Sequence, residues 1–434
     1  MTSLSVFIDV PKASKLKDEQ QEEAFLQDGD ERKIFLGEKV FVSDDGLPWV
    51  PLAVRRVYLQ QCNDPTRNYE YLPVGGSPEF LRGVTELALG KNSKAIVENR
   101  AGGIQTPGSR AAFRVGVEFL HHWYSMNHKI SVCIPHPDCD HYSETLEVAG
   151  STNIYPYRVW DRNKEIPALC EILEDLETSP DHSIVVLPIS CTPTGIQLNK
   201  REWKQIAALL KTKNMFPFFH LKDQGLSSGD VDADAWPLRH FVSEDFELFC
   251  AQSFSASFGL YGESVGSLLI VMRSNGVLIG VRSQMVRLVL GKWSTPAATG
   301  ARVVATVLNN PTLHLEWKES LKMAVKYLMV IREKMRETLR LLETLRSWNH
   351  ITQQSGLFAY IGLTQDQVDF LAKRNHIYLP ETGQINISDL NADNLNYVMQ
   401  CISDVTLNDV RYVVDNIHCL AKKVTDSKMS LDQL

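Results

Sequence analysis

Ser253-Phe254-Ser255-Ala256-Ser257-Phe258-Gly259-Leu260-Tyr261-Gly262-Glu263-Ser264-Val265-Gly266 is the stretch on which the reading of this chain turns. It lies between two runs that are nearly continuous in apolar residues, Glu247 to Phe254 and Ser267 to Met272. Runs of that length without polar alternation predict strands covered on both faces. Ala256, between them, has no amine. It can therefore offer neither a nucleophilic nitrogen nor a base.

The same pattern continues on the N-terminal side. Ile130 to Pro135, Tyr155 to Trp160, Ser183 to Ile189 and Met215 to Leu221 read as further strands, and Glu202 to Leu210 reads as a crossover helix. This alternation predicts an α/β fold with a mostly parallel sheet flanked by helices. On the C-terminal side, Leu321, Ala324, Leu328, Ile331, Met335, Leu339, Leu342 and Leu345 recur at spacings of three and four. They form one apolar stripe of a long helix, with charged residues such as Lys322, Lys326, Arg332, Glu333 and Arg336 expected on its other faces. Core packing is the favoured role of that stripe over partner binding. Lys15 to Arg32 is polar and reads as a helix plus loop near the surface. Asn408 to Leu434 is expected to add a helix, with Val410, Val413, Val414, Ile417, Leu420 and Val424 on one side, before a polar tail.

Bulk composition narrows the function classes. The chain has 434 residues and a formal net charge of -7, which gives no basic footprint for nucleic acid or anionic membrane. Eight cysteines are scattered without a CxxC pair, so reduced thiols are expected. The N-terminal residues lack the basic and apolar regions of a secretory signal and the arginine bias of a mitochondrial presequence, and no apolar run is long enough to span a bilayer. A cytoplasmic protein is the expectation.

The 253–266 stretch closely resembles the cofactor-lysine segment of the aspartate aminotransferases, S-[FY]-[SA]-K-N-[FM]-G-L-Y-x-E-R-V-G. Tyr69-Glu70-Tyr71-Leu72-Pro73, Phe216-Pro217-Phe218-Phe219, Ser283-Gln284-Met285, Trp348-Asn349-His350-Ile351-Thr352 and His376-Ile377-Tyr378-Leu379 extend the likeness from Ser5 to about Asn408. The resemblance implies the fold-type-I architecture of pyridoxal-phosphate transferases: a large domain with a mainly parallel mixed sheet, and a small α/β domain formed by both chain ends. The corresponding division is 1–12 as an N-terminal dimer arm, 13–46 and 324–408 as the small domain, 47–323 as the large domain and 409–434 as an extension. It also implies a homodimer whose sites lie at the subunit interface.

Carried over residue by residue, the family's site is mostly lost. The lysine that forms the Schiff base with pyridoxal phosphate, and then moves the substrate α-proton, is Ala256. The aspartate facing the pyridine nitrogen is His220, which offers no counter-charge. The tyrosine and asparagine serving the cofactor hydroxyl are Asp223 and Thr192, with one residue missing just before Thr192. The tryptophan stacked on the ring is Cys139. The phosphate cup reads Gly108-Ser109-Arg110-Ala111-Ala112, with a large Arg110 where a small hydroxyl belongs. The phosphate-gripping arginine is Ser264. The α-carboxylate arginine is Gln384, and the side-chain carboxylate arginine, lent by the partner subunit, is Leu290. A close-approach glycine is Lys39. Tyr71, Gly108 and Ser255 are what is kept.

Losses spread over separate segments, beside a matching framework, point to an inactive aminotransferase-like protein. No cofactor is then expected, and pyridoxal phosphate enters through the resemblance only. The alternative is residual aspartate:2-oxoglutarate transamination with Lys222 or Lys39 as a displaced amine; filling of vacated space is the favoured role for both. A second alternative is a metal or anion site from His136, Cys139, His141, His220 and Asp223, with a polar plug favoured and no metal expected. The partner expected is a second copy of the chain, or an active relative in a mixed dimer, with neither nucleic acid nor membrane.

Overall fold

The apolar runs assemble into one seven-stranded sheet. Its strands are β1 (Ala101–Pro107), β2 (Val132–His136), β3 (Ile154–Arg158), β4 (Ile184–Pro188), β5 (Phe216–Leu221), β6 (Leu248–Ser253) and β7 (Val265–Val271). They lie in the order β1-β7-β6-β5-β4-β2-β3. Neighbours from β6 to β3 are parallel, and β7 alone runs antiparallel, against both β6 and β1. The computed structural model describes residues 5, 7–13, 17–37, 40–43, 45–124, 130–137, 142–151, 153–161, 166–190, 195, 197–342, 347–380 and 382–407.

Every residue of β4 and β7 is buried, which is why neither run alternates. Successive side chains go to opposite faces. Leu187, Phe219 and Cys250 pack with Trp203 and Phe241 on one side, whereas Val186, Phe218 and Phe249 pack with Phe113 on the other. The sequence pattern does not predict β1. Its opening Ala101-Gly102-Gly103 is poor in apolar residues, and glycine is depleted in strands. Packing overrides that preference, because a Cβ on Gly103 would lie 3.0 Å from the Leu268 carbonyl oxygen of β7.

The helices follow their local signals. α1 (Gly108–Trp123) leaves the end of β1. α2 (Lys200–Thr212) is the expected crossover, opened by a capping box. The Asn199 side chain accepts from the Arg201 and Glu202 amides, and the Glu202 carboxylate accepts from the Asn199 amide. α3 (Asn275–Lys292) follows β7. α4 (Pro311–Leu341) is the long helix, and it starts ten residues ahead of the expected stripe, with Asn310 as cap and Pro311 in the first turn. Leu321, Ala324, Leu328, Ile331, Met335 and Leu339 are buried as expected. Leu345 lies outside the described residues, as does the expected helix after Asn408. Arg332 corrects the expectation of an exposed face. It is fully buried, and its guanidinium donates to the carbonyls of Ile351, Gly356 and Phe358. Burial pulls its pKa down to about 9.

Segments from the N-terminal and C-terminal parts of the chain pair outside the main sheet. Ile34–Phe35 pairs in parallel with Ile377–Tyr378, and Phe358–Tyr360 pairs antiparallel with Gln384–Asn386. Asp28 accepts hydrogen bonds from the Asp30 amide, His376 Nδ1 and the Tyr378 hydroxyl, which ties the Lys17–Gln27 helix to this pair. On this topology we propose the division of small domain (13–46 and 324–408) from large domain (47–323), with α4 running unbroken through both. No helix among the described residues is long and apolar enough to cross a membrane.

Candidate functional site

Strand register brings the candidate residues to one edge of the sheet. Pro188, His220 and Ala251 are neighbours across β4, β5 and β6, and Leu221 pairs with Gln252. Ser253 at the end of β6 is followed, after Phe254, by Ser255 and Ala256. Gly266 pairs with both Ser253 and Thr106, and Val265 pairs with Pro107, the residue before Gly108. His220, Lys222, Asp223, Ala256, Ser264 and Gly108 therefore all leave the sheet at the carboxyl ends of its parallel strands, where α/β folds place ligand sites. The backbones close up here. A Cβ on Gly266 would lie 2.5 Å from the Gly108 carbonyl carbon and 2.7 Å from the Gln252 carbonyl oxygen, so only glycine fits.

The scaffold around position 256 is tightly built. Ser255–Phe258 forms one helical turn, ended by Gly259 at φ 63°. Phe254 meets Phe80 edge-on at 5.6 Å, and Phe258 stacks on Trp317 of α4 at 4.5 Å. The Trp317 indole also donates to the Ser257 carbonyl at 2.8 Å. Ala256 is half-buried, and its side chain packs against the apolar cluster that includes these rings. The segment is held by three aromatic anchors, yet it presents a methyl group.

His220 is 7% exposed, on the same face of β5 as Phe218. Its Nδ1 shares a 2.5 Å hydrogen bond with the hydroxyl of Tyr142, whose ring stands edge-on to Phe113. Tyr142 is itself 2% exposed. Sequence reasoning missed Tyr142. Nothing local signals it, because it contacts a residue 78 positions away. Lys222 and Asp223 are both half-buried beyond the end of β5. Burial pushes the Tyr261 hydroxyl up to about 12, and the charge of nearby Asp223 adds to the shift. That hydroxyl accepts a hydrogen bond from the Phe41 amide. The loop after Asp223 is pinned by buried Asp234, which accepts from the amides of Gly225, Ser227 and Ser228 and from the Ser228 hydroxyl.

The other candidates are more open. Gly108 has φ 79° and opens α1, Ser109 is half-buried and Arg110 is exposed. Ser264 is exposed, with left-handed φ 48°. Gln384 begins its short strand, and its buried amide oxygen meets no donor among the described residues. Tyr71 is 91% exposed, and Leu290 lies exposed on α3. Lys39, Cys139, His141 and Thr192 lie outside the described residues. Among the described residues no group of three or more potential ligands is placed to hold a metal ion, and His136 is exposed.

The polar groups at this edge are thus an imidazole, an accepting carboxylate, an ammonium, two serine hydroxyls and backbone amides. Position 256 adds no base or nucleophile to them.

Comparison with known proteins gives a consistent likeness. The sequence pattern of the aminotransferases of class I and II matches residues 33–402. The cytoplasmic aspartate aminotransferase of Gallus gallus is 41% identical over 403 residues, covering 92% of this chain and 98% of that protein. An aromatic-amino-acid aminotransferase from Burkholderia pseudomallei, solved covalently bound to pyridoxal phosphate, superposes with a TM-score of 0.88. It is 31% identical, over 93% of this chain and all of the other. The cytoplasmic aspartate aminotransferase of Saccharomyces cerevisiae gives a TM-score of 0.88 at 27% identity, over 92% of this chain and 98% of the other.

Proposed function

This chain belongs to the class I and II aminotransferases, and from that premise we propose that it is an aspartate aminotransferase homologue that keeps the scaffold without the transamination chemistry. The observation that carries the reading is Ala256. A methyl group occupies the place where the resemblance puts the amine, on a turn whose aromatic anchors leave its position well defined.

The donor set supports the same reading, because it does not fit pyridoxal phosphate. A pyridinium nitrogen needs an anionic partner. His220 is an imidazole already bonded to Tyr142. A phosphate group is best held by a bidentate guanidinium, a contact of about 1.5–3 kcal/mol. Ser264 cannot reproduce that fork, and Arg110 is exposed. No reaction step is therefore assigned to this cofactor.

Purified full-length chain, incubated with excess pyridoxal phosphate, freed of unbound cofactor and then treated with borohydride, should show no internal-aldimine absorbance band and no single lysine labelled above the background of exposed amines. A pyridoxyl adduct at Lys222 or Lys39 would restore the enzyme reading, with a displaced amine in the old role.

We also propose that the chain acts through pairing, with itself or with an active relative, in the cytoplasm that its relatives' names indicate. The exposure of Tyr69, Tyr71 and Leu290 supports a surface completed by a second subunit. In a mixed dimer it would lend its partner Tyr71 but Leu290 in place of an arginine. The site it completes should then lose its preference for dicarboxylates, a loss of about 2–5 kcal/mol when one side of a buried charge pair is removed. Mixed dimers with unchanged aspartate kinetics would refute the pairing role.

A further inference from the structure

Little backbone pairing fastens residues 28–37 to the C-terminal part of the chain. Ile34–Phe35 meets Ile377–Tyr378 over two residues, and the Ile34 amide donates to the His376 carbonyl at 2.8 Å. Phe25 adds ring contacts with Phe35 at 5.3 Å and Tyr378 at 5.7 Å. A strand pair that short is marginal alone. A side-chain network centred on His376 completes the attachment. His376 caps the Gln365–Asn375 helix at φ 56°, and its half-buried ring faces the loop at 28–32. Nδ1 lies 2.6 Å from Asp28 Oδ2, and Nε2 lies 3.3 Å from Asp30 Oδ2. Both ring nitrogens therefore face carboxylates.

The proton positions follow from the partners. An ionised carboxylate only accepts, so Nδ1, bonded to Asp28, carries a proton. A second proton can sit only on Nε2. With it, the ring is a cation between two anions; without it, the Nε2 lone pair is turned on a carboxylate and the contact becomes repulsive. We propose that His376 is a proton-operated latch on the 28–37 segment, closed as the imidazolium and opened when the Nε2–H bond breaks and its proton passes to solvent. Asp30 is the arm released, because it keeps Arg32, whose Nε and Nη2 donate to it at 3.2 and 3.0 Å. Asp28 keeps the Nδ1 proton and the Tyr378 hydroxyl. The fastened segment leads on to Phe41, whose amide donates to Tyr261 in the 253–266 stretch, so the latch acts on chain that borders the candidate site.

The surrounding charges leave the two carboxylates as the ring's nearest counter-charges. On the loop, Arg32 is paired to Asp30, Glu31 is exposed, and the Lys33 ammonium donates to the carbonyls of Phe25 and Asp28. On the histidine's own helix, Lys373 pairs with Asp369, and Arg374 is exposed. The helix at 395–407 brings Tyr397, whose hydroxyl donates to the Asn375 carbonyl, with Cys401 and Asp404 behind it. The Asp30 amide, His376 and Tyr378 hold the Asp28 carboxyl down at about 2, and Arg32 holds Asp30 at about 2, from the usual 3.8. Depressed carboxylates contribute above the usual value and lose that contribution as pH falls toward 2. The imidazolium contributes at low pH and is lost as pH rises through the range in which histidines exchange their proton. The latch is thus closed in mild acid and open in mild alkali, whether or not the chain turns over a substrate.

Hydrogen exchange of the full-length chain tests it, read at about pH 5.5 and about pH 8.5 on peptides covering 25–37 and corrected for the intrinsic pH dependence of exchange. Protection there should fall about fivefold at the higher pH, the weight of one partly exposed ion pair. Peptides of α4 are the reference and should keep their protection. His376→Gln, which cannot take up a second proton, should show the lower protection at both pH values. Asp30→Asn should lose most of the pH dependence. Protection in the native chain that does not change with pH would overturn the proposal. So would a fall that persists in folded His376→Gln, since another group would then be titrating. Ring-nitrogen NMR of the native chain needs no variant. Both nitrogens of His376 should carry protons at the lower pH and only Nδ1 at the higher, and any other pair of states would sink the latch.

Discussion

A chain carrying Ala256→Lys, supplied with pyridoxal phosphate, is expected to gain a borohydride-fixable lysine and still to release almost no oxoacid from aspartate. The substitution restores the nitrogen on a turn whose position is already set by Phe254, Phe258 and Trp317. It does not restore the groups that make the nitrogen useful. His220 offers no carboxylate to a cationic ring, and its Nδ1 is bonded to Tyr142. Ser264 offers no guanidinium, and neither Gln384 nor Leu290 can pair with a substrate carboxylate. One missing electrostatic partner costs about 10²–10³ in turnover. Any two of these four losses, acting independently, therefore predict about 10⁴–10⁶. A coupled assay for oxoacid release checks this. Turnover in the ordinary range of about 1–10³ per second would show that only the lysine was lost, and the wider reading of the site would fail.

The largest stability effect is expected at Trp317. It is fully buried, stacks on Phe258 at 4.5 Å and donates to the Ser257 carbonyl at 2.8 Å. Trp317→Ala removes a large ring from a packed interior, a change that costs about 3–5 kcal/mol. It also strands the Ser257 carbonyl, which adds to the cost when no water replaces the indole. Trp317→Phe keeps most of the stacking and loses the hydrogen bond, so about 0.5–1.5 kcal/mol is expected. Urea denaturation of the three proteins separates the two contributions. A loss below about 1 kcal/mol for Trp317→Ala would mean that the 255–258 turn is not anchored from α4, and the defined position claimed for Ala256 would lose its support.

Much of the fold is legible in the chain because strands and helices announce themselves locally. The runs at β4, β5 and β6 are apolar over a strand's length because both of their faces are covered. The stripe from Leu321 to Leu339 has helical period because one side of α4 is buried. β1 escapes that logic, since Gly102 and Gly103 are there for the closeness of β7 and carry no apolar signal. Arg332 escapes it too. A charged residue beside an apolar stripe reads as solvated, and only the arrival of three carbonyls from 351–358 makes its burial tolerable.

At the site the division is sharper. Which side chain stands at 256, 220, 264, 290 and 384 is covalent information, so that Ala256 has no amine and that Ser264, Leu290 and Gln384 have no guanidinium is read from the sequence alone. That His220 is engaged by Tyr142 and that Gly266 brings β7 against the opening of α1 were decided only by the tertiary structure. The physical reason is separation. These contacts join residues far apart along the chain, and their pairing depends on strand order and register, which no local periodicity encodes.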